Sequence, residues 1–413
     1  MKTVINPSPD IWSELCQRPS VDSSRLGKTV EDIFQQVQEG GDAALLATTK
    51  RYDAVELQRC DMPLRSAEDE GELLEYELRM AVDIAYRNIE LFHRAQLSAI
   101  SSKVETEPGV VCWREPRPIE RVGLYVPGGT APLLSTMLML GIPAQLAGCK
   151  EIVVCTPPAK DSSVAQVIRY AAAKCGIETL YTVGGAQAIA AMTFGTETVP
   201  RVDKLFGPGN QYVTAAKQRA VASGVAIDMP AGPSEVMVIA DVSANPAFVA
   251  ADLLSQAEHG PDSQVVLLTT SRELQRAVEL EVRRQLDTLP RAAIARTALK
   301  TSLSVYFDRL SQCVGFANVY APEHLILQTK NAARLAKDIV NAGSVFLGPY
   351  TPESAGDYAS GTNHTLPTSG WAKTYGGLSV EDYQKMVSFQ TITRDGLTRL
   401  ADTITTLAVA EGL

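Results

Sequence analysis

Residues 122–158 read VGLYVPGGTAPLLSTMLMLGIPAQLAGCKEIVVCTPP. An apolar run at 122–126 meets a Pro-Gly-Gly turn at 127–129. An apolar stretch of helical length, 133–147, follows, and then a second β-rich run at 151–155. Strand, glycine turn, helix and strand in succession make a βαβ unit, whose strands must lie parallel. The same rhythm continues downstream. Strand runs are expected at 179–183, 204–206, 236–239, 265–269 and 344–347, and helical runs at 162–175, 186–194, 211–222, 246–258, 272–286 and 334–340. The chain therefore reads as α/β with mostly parallel sheets.

Upstream of that core, Val30, Ile33, Phe34 and Val37 recur at helical spacing, and Gly40-Gly41 ends that helix. Residues 68–96 read as a long, charged surface helix. The first 27 residues carry Pro7, Pro9 and Pro19 and read as an arm. Residues 348–377 form a polar, Gly-rich stretch, and a long loop inside a compact domain is usually functional. From 380 to 413 helical periodicity returns.

The chain has 413 residues, 45% of them hydrophobic and 21% charged, an ordinary globular balance that excludes disorder throughout. Its net charge is 38 − 47 = −9, without a basic patch, which argues against nucleic acid or an anionic membrane as partner. No apolar run reaches the ~18 residues of a membrane span. The start, MKTVINPSPDIW, lacks a basic region followed by an apolar core. Cys16, Cys60, Cys112, Cys149, Cys155, Cys175 and Cys313 form no metal-type spacing. An odd count without a leader predicts reduced thiols in a cytoplasmic protein.

Three glycine turns follow expected strands and open helices: 127–129, 184–185 and 207–210. Helix N-termini at the carboxyl edge of a parallel sheet bind phosphate. None is GxGxxG. Singly each is an ordinary turn; together they favour a phosphate-bearing ligand, such as a dinucleotide bound in a nonstandard way. Gln256 and His259 share one face of a helix's last turn before Gly260-Pro261, which suits a divalent metal; the alternative is a histidine favoured by the helix dipole. Glu323-His324 after Pro322 offers an acid/base pair, or merely a polar turn. Asp357 and His364 lie in the long loop, where Asp357 could complete a Gln/His/Asp zinc set. The turn 230–234 is rigid and could hold Ser234 towards a substrate. Cys112, Cys149 and Cys155 are the candidates for a thiol mechanism, but their apolar surroundings favour inert, buried thiols.

With these motifs the chain resembles histidinol dehydrogenases along essentially its whole length, most specifically at 122–129, 183–191, 206–210, 227–236, 255–263, 321–324 and 357–377. The resemblance implies NAD-dependent oxidation of L-histidinol to L-histidine through a bound aldehyde, with two NAD⁺ and one zinc. It implies zinc ligands Gln256, His259 and Asp357, the acid/base pair Glu323 and His324, and NAD contacts Tyr125, Gln187 and Asn210. Ser234, His364, Glu411 and Asp357 would contact the substrate. A histidine shortly beyond residues 410–413 would be the fourth zinc ligand, and on this reading the chain stops before it.

The implied fold resembles aldehyde dehydrogenases, with two incomplete Rossmann-like domains, an N-terminal arm and a helical C-terminal tail exchanged in a homodimer. The expected organisation is an arm at 1–27, a discontinuous main α/β domain at 28–124 and 236–378, an inserted nucleotide-binding domain at 125–235, and a tail at 379–413. Two other readings stay open from the residues: a relative that oxidises another amino alcohol or diol with zinc and NAD⁺, or a disabled α/β nucleotide-binding protein.

Overall fold

The structure, a computed structural model, describes residues 1–18, 23–97, 102–128, 132–230 and 232–413. Among the described residues the strands form three sheets. The first runs edge to edge through Lys2–Ile5, Leu303–Tyr306, Gln264–Thr269, Glu235–Ala240, His324–Gln328 and Ser344–Leu347, all parallel. The second runs through Asp61–Pro63, Thr179–Tyr181, Glu151–Cys155, Arg121–Tyr125, Lys204–Phe206 and Ala226–Ile227. It is parallel except for its first strand. The third is an antiparallel ribbon of Gln384–Ile392, Val110–Pro118 and Val104–Glu107.

The βαβ reading holds. The helix Leu134–Ala147 is buried along nearly its full length, which is why its sequence is apolar all round rather than striped. The central strands of both large sheets are buried on both faces, so they read as continuous apolar runs. Gly41 stands at φ +49°, ψ −136° and breaks the helix Ser23–Tyr52 where the glycine pair predicted an end.

Three expectations are corrected. The segment 28–124 shares no sheet with 236–378, although Asn88 and His93 touch Ala359 and Asn363. Asp61–Pro63 joins the second sheet, and Val30, Ile33, Phe34 and Val37 are buried against Ala186–Met192 beside that sheet. The helix Tyr76–Arg94 packs there too, through Val82, Ala85 and Ile89. Residues 1–16 of the expected arm also join the core of the first sheet. Lys2–Ile5 hydrogen-bonds as an edge strand of the first sheet, and Trp12 wedges edge-on against Phe307 and Phe316; Pro19 lies outside the described residues. The tail is helical at Val380–Tyr383, a 3-10 turn, and at Arg394–Glu411, but between them Gln384–Ile392 is a strand, because Val110–Pro118 offers it a full antiparallel partner. Among the described residues no helix is long and apolar enough to cross a membrane.

Strand order then places the ligand sites. In the second sheet Arg121–Tyr125 is flanked by Glu151–Cys155 on one side and Lys204–Phe206 on the other, so the chain direction of successive crossovers reverses there. Crevices of open α/β sheets form outside the carboxyl ends of such strands. Tyr125 and Phe206, with Gly207 next to it, stand at that edge.

Candidate active site

The three glycine turns do gather at one edge of the second sheet. A cavity of about 820 Å³ there is lined by Tyr125, Gly128, Gly185, Gln187 and Asn210, among others. Gly129 lies outside the described residues. Asn210 caps the helix Gln211–Ala222 by accepting from the Tyr212 and Val213 N–H groups at 3.0 and 3.2 Å. The Gly185 N–H donates to the Tyr125 hydroxyl at 2.9 Å, and burial pushes that phenol up to about 12. Gln187 Nε2 donates to Asp53 Oδ2 at 3.0 Å. Gly207 carries φ +119°, and a Cβ on it would stand 2.2 Å from the Tyr125 carbonyl oxygen. Only glycine allows the strand ends to approach this closely.

The turn after Gly207 is fastened from below. Asp228 accepts from the Gly207 N–H at 2.8 Å and the Met229 N–H at 2.6 Å. Lys217, buried in the next helix, ion-pairs with Asp228 and donates to the Gly207 carbonyl at 2.8 Å. A small cavity of about 60 Å³ opens beside this turn, and Ser234, Glu323 and His364 line it. Within the turn 230–234, Ala231 lies outside the described residues.

Glu323 and His324 sit at the amino end of the strand His324–Gln328, not at a carboxyl edge. Neighbouring strand Glu235–Ala240 starts alongside, and the backbone of its first residue holds both side chains. The Glu235 N–H donates to Glu323 Oε2 at 2.7 Å, and His324 Nδ1 contacts the Glu235 carbonyl at 3.1 Å. A carbonyl only accepts, so Nδ1 carries a proton, and only the neutral form of the ring presents a lone pair at Nε2. That Nε2 is buried without a partner, 3.8 Å from Asp357 Oδ1. Burial works against charging the ring, but Glu323, Glu353 and Asp357 outweigh it and hold His324 up at about 10.

Around Asp357 the structure gathers one of the other expected ligands, His259, together with Glu353. Asp357 lies on the short helix Glu353–Tyr358 rather than in a loop. Ligand atoms of His259, Glu353 and Asp357 all lie within 4.8 Å of one another. Gln256 Oε1, Glu353 Oε1 and Asp357 Oδ1 are buried without hydrogen-bond partners. Burial, then the neighbouring Glu353 charge, pushes Asp357 up to about 8. Orphaned oxygens on buried carboxylates that raise one another's ionisation cost are the donor set a divalent cation would satisfy. His364 stands 3.8 Å away through Nδ1, with Nε2 against Thr136 Oγ1 at 3.3 Å. Burial and the nearby His324 and His259 push His364 down to about 4, so its ring is neutral.

Glu411 stands apart: it is exposed at the end of Arg394–Glu411 and lines neither cavity described above. Glu353 was missed by reading the sequence. Its signal was an i, i+4 carboxylate pair with Asp357, which looks like any acidic helix face until burial is known. Burial also lifts the Cys149 thiol to about 12 and raises Cys155 further, so neither offers a thiolate at neutral pH. Cys112 lies on the ribbon strand Val110–Pro118. All seven cysteines are free.

A family model described as histidinol dehydrogenase matches residues 16–413. Histidinol dehydrogenase of Bacteroides thetaiotaomicron is 51% identical over 411 residues, spanning 100% of this chain and 96% of that one. The Escherichia coli K12 protein of the same name is 51% identical over 404 residues, spanning 97% and 92%. The crystal structure of histidinol dehydrogenase from Elizabethkingia anophelis superposes with a TM-score of 0.96 at 51% identity, over 100% of this chain and 95% of that one. An acetylating aldehyde dehydrogenase from Geobacillus thermoglucosidasius shares the fold at a TM-score of 0.51 and 14% identity, over 93% and 94% of the two chains.

Proposed function

This chain belongs to the histidinol dehydrogenase family, a family of oxidoreductases, and on that premise we propose that it oxidises L-histidinol to L-histidine in two steps through an aldehyde that stays bound. The acceptor is NAD⁺, seated along the cavity that Tyr125, Gln187 and Asn210 line. Zinc is held by Gln256, His259 and Asp357. The observation that carries this reading is a set of orphaned buried atoms on the expected residues: Gln256 Oε1, and, 3.8 Å apart, Asp357 Oδ1 and His324 Nε2, with Glu323 beside His324.

When bound, NAD⁺ supplies the hydride acceptor, and zinc supplies a Lewis-acid anchor for substrate heteroatoms while offsetting the carboxylate charge that holds His324 protonated. The remaining work falls to side chains. His324 Nε2 takes the alcohol proton, its tautomer fixed by the Glu235 carbonyl. Glu323 has Oε2 tied to the Glu235 N–H, so Oε1 is the atom available to deprotonate the water that attacks the aldehyde. The hydrate then gives up its second hydride. Neutral His364 and Ser234 line the substrate end. Retaining the aldehyde avoids release of a reactive intermediate.

We place Glu411 at the substrate through exchange of the tail 379–413 in a homodimer. The exposed Leu397, Ile404 and Leu407, which fall on one side of its helix at helical spacing, support that arrangement, since a contiguous apolar stripe otherwise faces water. The deciding experiment counts NADH formed per histidinol consumed, with and without added Zn²⁺. Two NADH per substrate, dependent on the metal, is expected. One NADH with free aldehyde accumulating, or no turnover of histidinol by metal-loaded protein, overturns the reading.

A further inference from the structure

The residue whose backbone N–H and C=O aim Glu323 and His324 is Glu235, whose own side chain no step above uses. That carboxylate is 1% exposed and lies beside Glu323. A buried carboxylate next to another needs a fixed cation. Its cation comes from far away in sequence. Arg18 Nε and Nη2 donate to Glu235 Oε1 and Oε2 at 2.9 and 3.0 Å, a bidentate fork. The same guanidinium donates to the Cys16 and Tyr320 carbonyls at 3.0 and 2.8 Å and lies 3.5 Å over the Tyr320 ring. The Ser369 N–H adds a further bond to Glu235 Oε1 at 2.9 Å. Arg18 thus has its planar face, both edges and its charge engaged, a set that lysine cannot reproduce.

We propose that Arg18 is a positioning residue for the oxidation chemistry. The N-terminal segment, anchored by the strand Lys2–Ile5 and by Trp12, ends in a guanidinium that locks the Glu235 side chain. Locking that side chain fixes the Cα between the two peptides, the one whose N–H holds Glu323 and the one whose carbonyl sets the His324 tautomer. Without the fork, Glu235 is an uncompensated buried charge beside the pair. It turns away from Ser369 and carries the two peptides flanking its Cα with it. The proposal rests on the reading of Glu323 and His324 as the acid/base pair.

The test measures kcat and KM for histidinol, for histidinaldehyde and for NAD⁺ in Arg18→Lys, Arg18→Gln and Arg18→Gln/Glu235→Gln, with thermal midpoints alongside. Glu323→Gln and His324→Asn are run as reference variants. A misplacement of catalytic groups on the order of 1 Å costs up to about 100-fold, so kcat should fall at least about tenfold in Arg18→Lys and further in Arg18→Gln, with each KM within about threefold of native. The double variant, which removes the buried charge, should regain most of that kcat. Should Arg18→Gln not fold, Arg18→Lys, which keeps the charge, gives the reading. Native kcat in a folded Arg18 variant, a loss confined to KM, or a double variant no better than the single one overturns the proposal. If Glu323→Gln and His324→Asn also leave kcat unchanged, it is the acid/base reading itself that has failed.

Discussion

Replacing Lys217 by Met tests how the nucleotide turn is held. Lys217 and Asp228 are both nearly inaccessible, and the ammonium serves two acceptors: Asp228 and, at 2.8 Å, the Gly207 carbonyl. Methionine fills much of the same volume but offers no donor. The variant therefore leaves an unpaired buried carboxylate and an unsatisfied carbonyl. Breaking a buried pair from one side costs about 3–5 kcal/mol, and an orphaned carbonyl about 1–3 kcal/mol of that kind of penalty. The two N–H groups that still reach Asp228, from Gly207 and Met229, keep the total near the lower figure. A loss of about 3 kcal/mol in a cooperative unit of 150–250 residues lowers the thermal midpoint by roughly 6–12 °C. Because Gly207 packs on Tyr125, while Gly207, Lys217 and Asp228 also line the small cavity with Ser234 and His364, KM should rise for both NAD⁺ and histidinol. The assay is a thermal melt with NAD⁺ and histidinol saturation kinetics, for Lys217→Met, Asp228→Asn and the pair together. Neighbours that share one interaction are non-additive, so the double variant should lose less than the two singles combined. A midpoint within about 2 °C of native in Lys217→Met, or strict additivity, refutes the reasoning.

Four further outcomes are expected. Glu323→Gln should retain histidinol oxidation to the aldehyde better than aldehyde oxidation; equal loss in stopped-flow measurements of both steps removes Glu323 from the water-activating role. Gly207→Ala forces a Cβ to 2.2 Å from the Tyr125 carbonyl at φ +119°, and isothermal titration should find NAD⁺ binding weakened at least about tenfold; native affinity contradicts the close approach. His93 is buried with its ring against the Ile89 carbonyl and the Asn363 amide, and burial lowers it below its ordinary 6.5. The folded ring stays neutral while the unfolded one protonates, so its share of stability is lost as pH falls below about 6.5, at up to about 1.4 kcal/mol per pH unit. Urea midpoints between pH 7.5 and 5.5 should fall less steeply in His93→Gln than in the parent chain, and parallel slopes count against this. Finally, Cys112→Ala/Cys149→Ala/Cys155→Ala should keep turnover, and loss of activity in a folded triple variant restores a thiol mechanism.

The fold was legible where the physics is local. Alternating apolar strands and helices from 121 to 347 follow from side-chain periodicity, and the glycines at 41 and 207 from φ values that other residues avoid. Gln256, His259, Glu323, His324 and Asp357 were readable because their residue types and spacings already limit their chemistry. What lay beyond the sequence was partnership across distance. Gln384–Ile392 became a strand only because Val110–Pro118 was free to pair with it. The helices within 28–94 packed beside the second sheet because Phe34 and Ile89 are buried there, a choice amphipathic helices leave open. Glu353 became a candidate ligand only through burial next to Asp357. The fork between Arg18 and Glu235 spans 217 residues. A charge pattern in sequence says which groups need partners, but the desolvation that makes a partner obligatory exists only once the chain has closed around them.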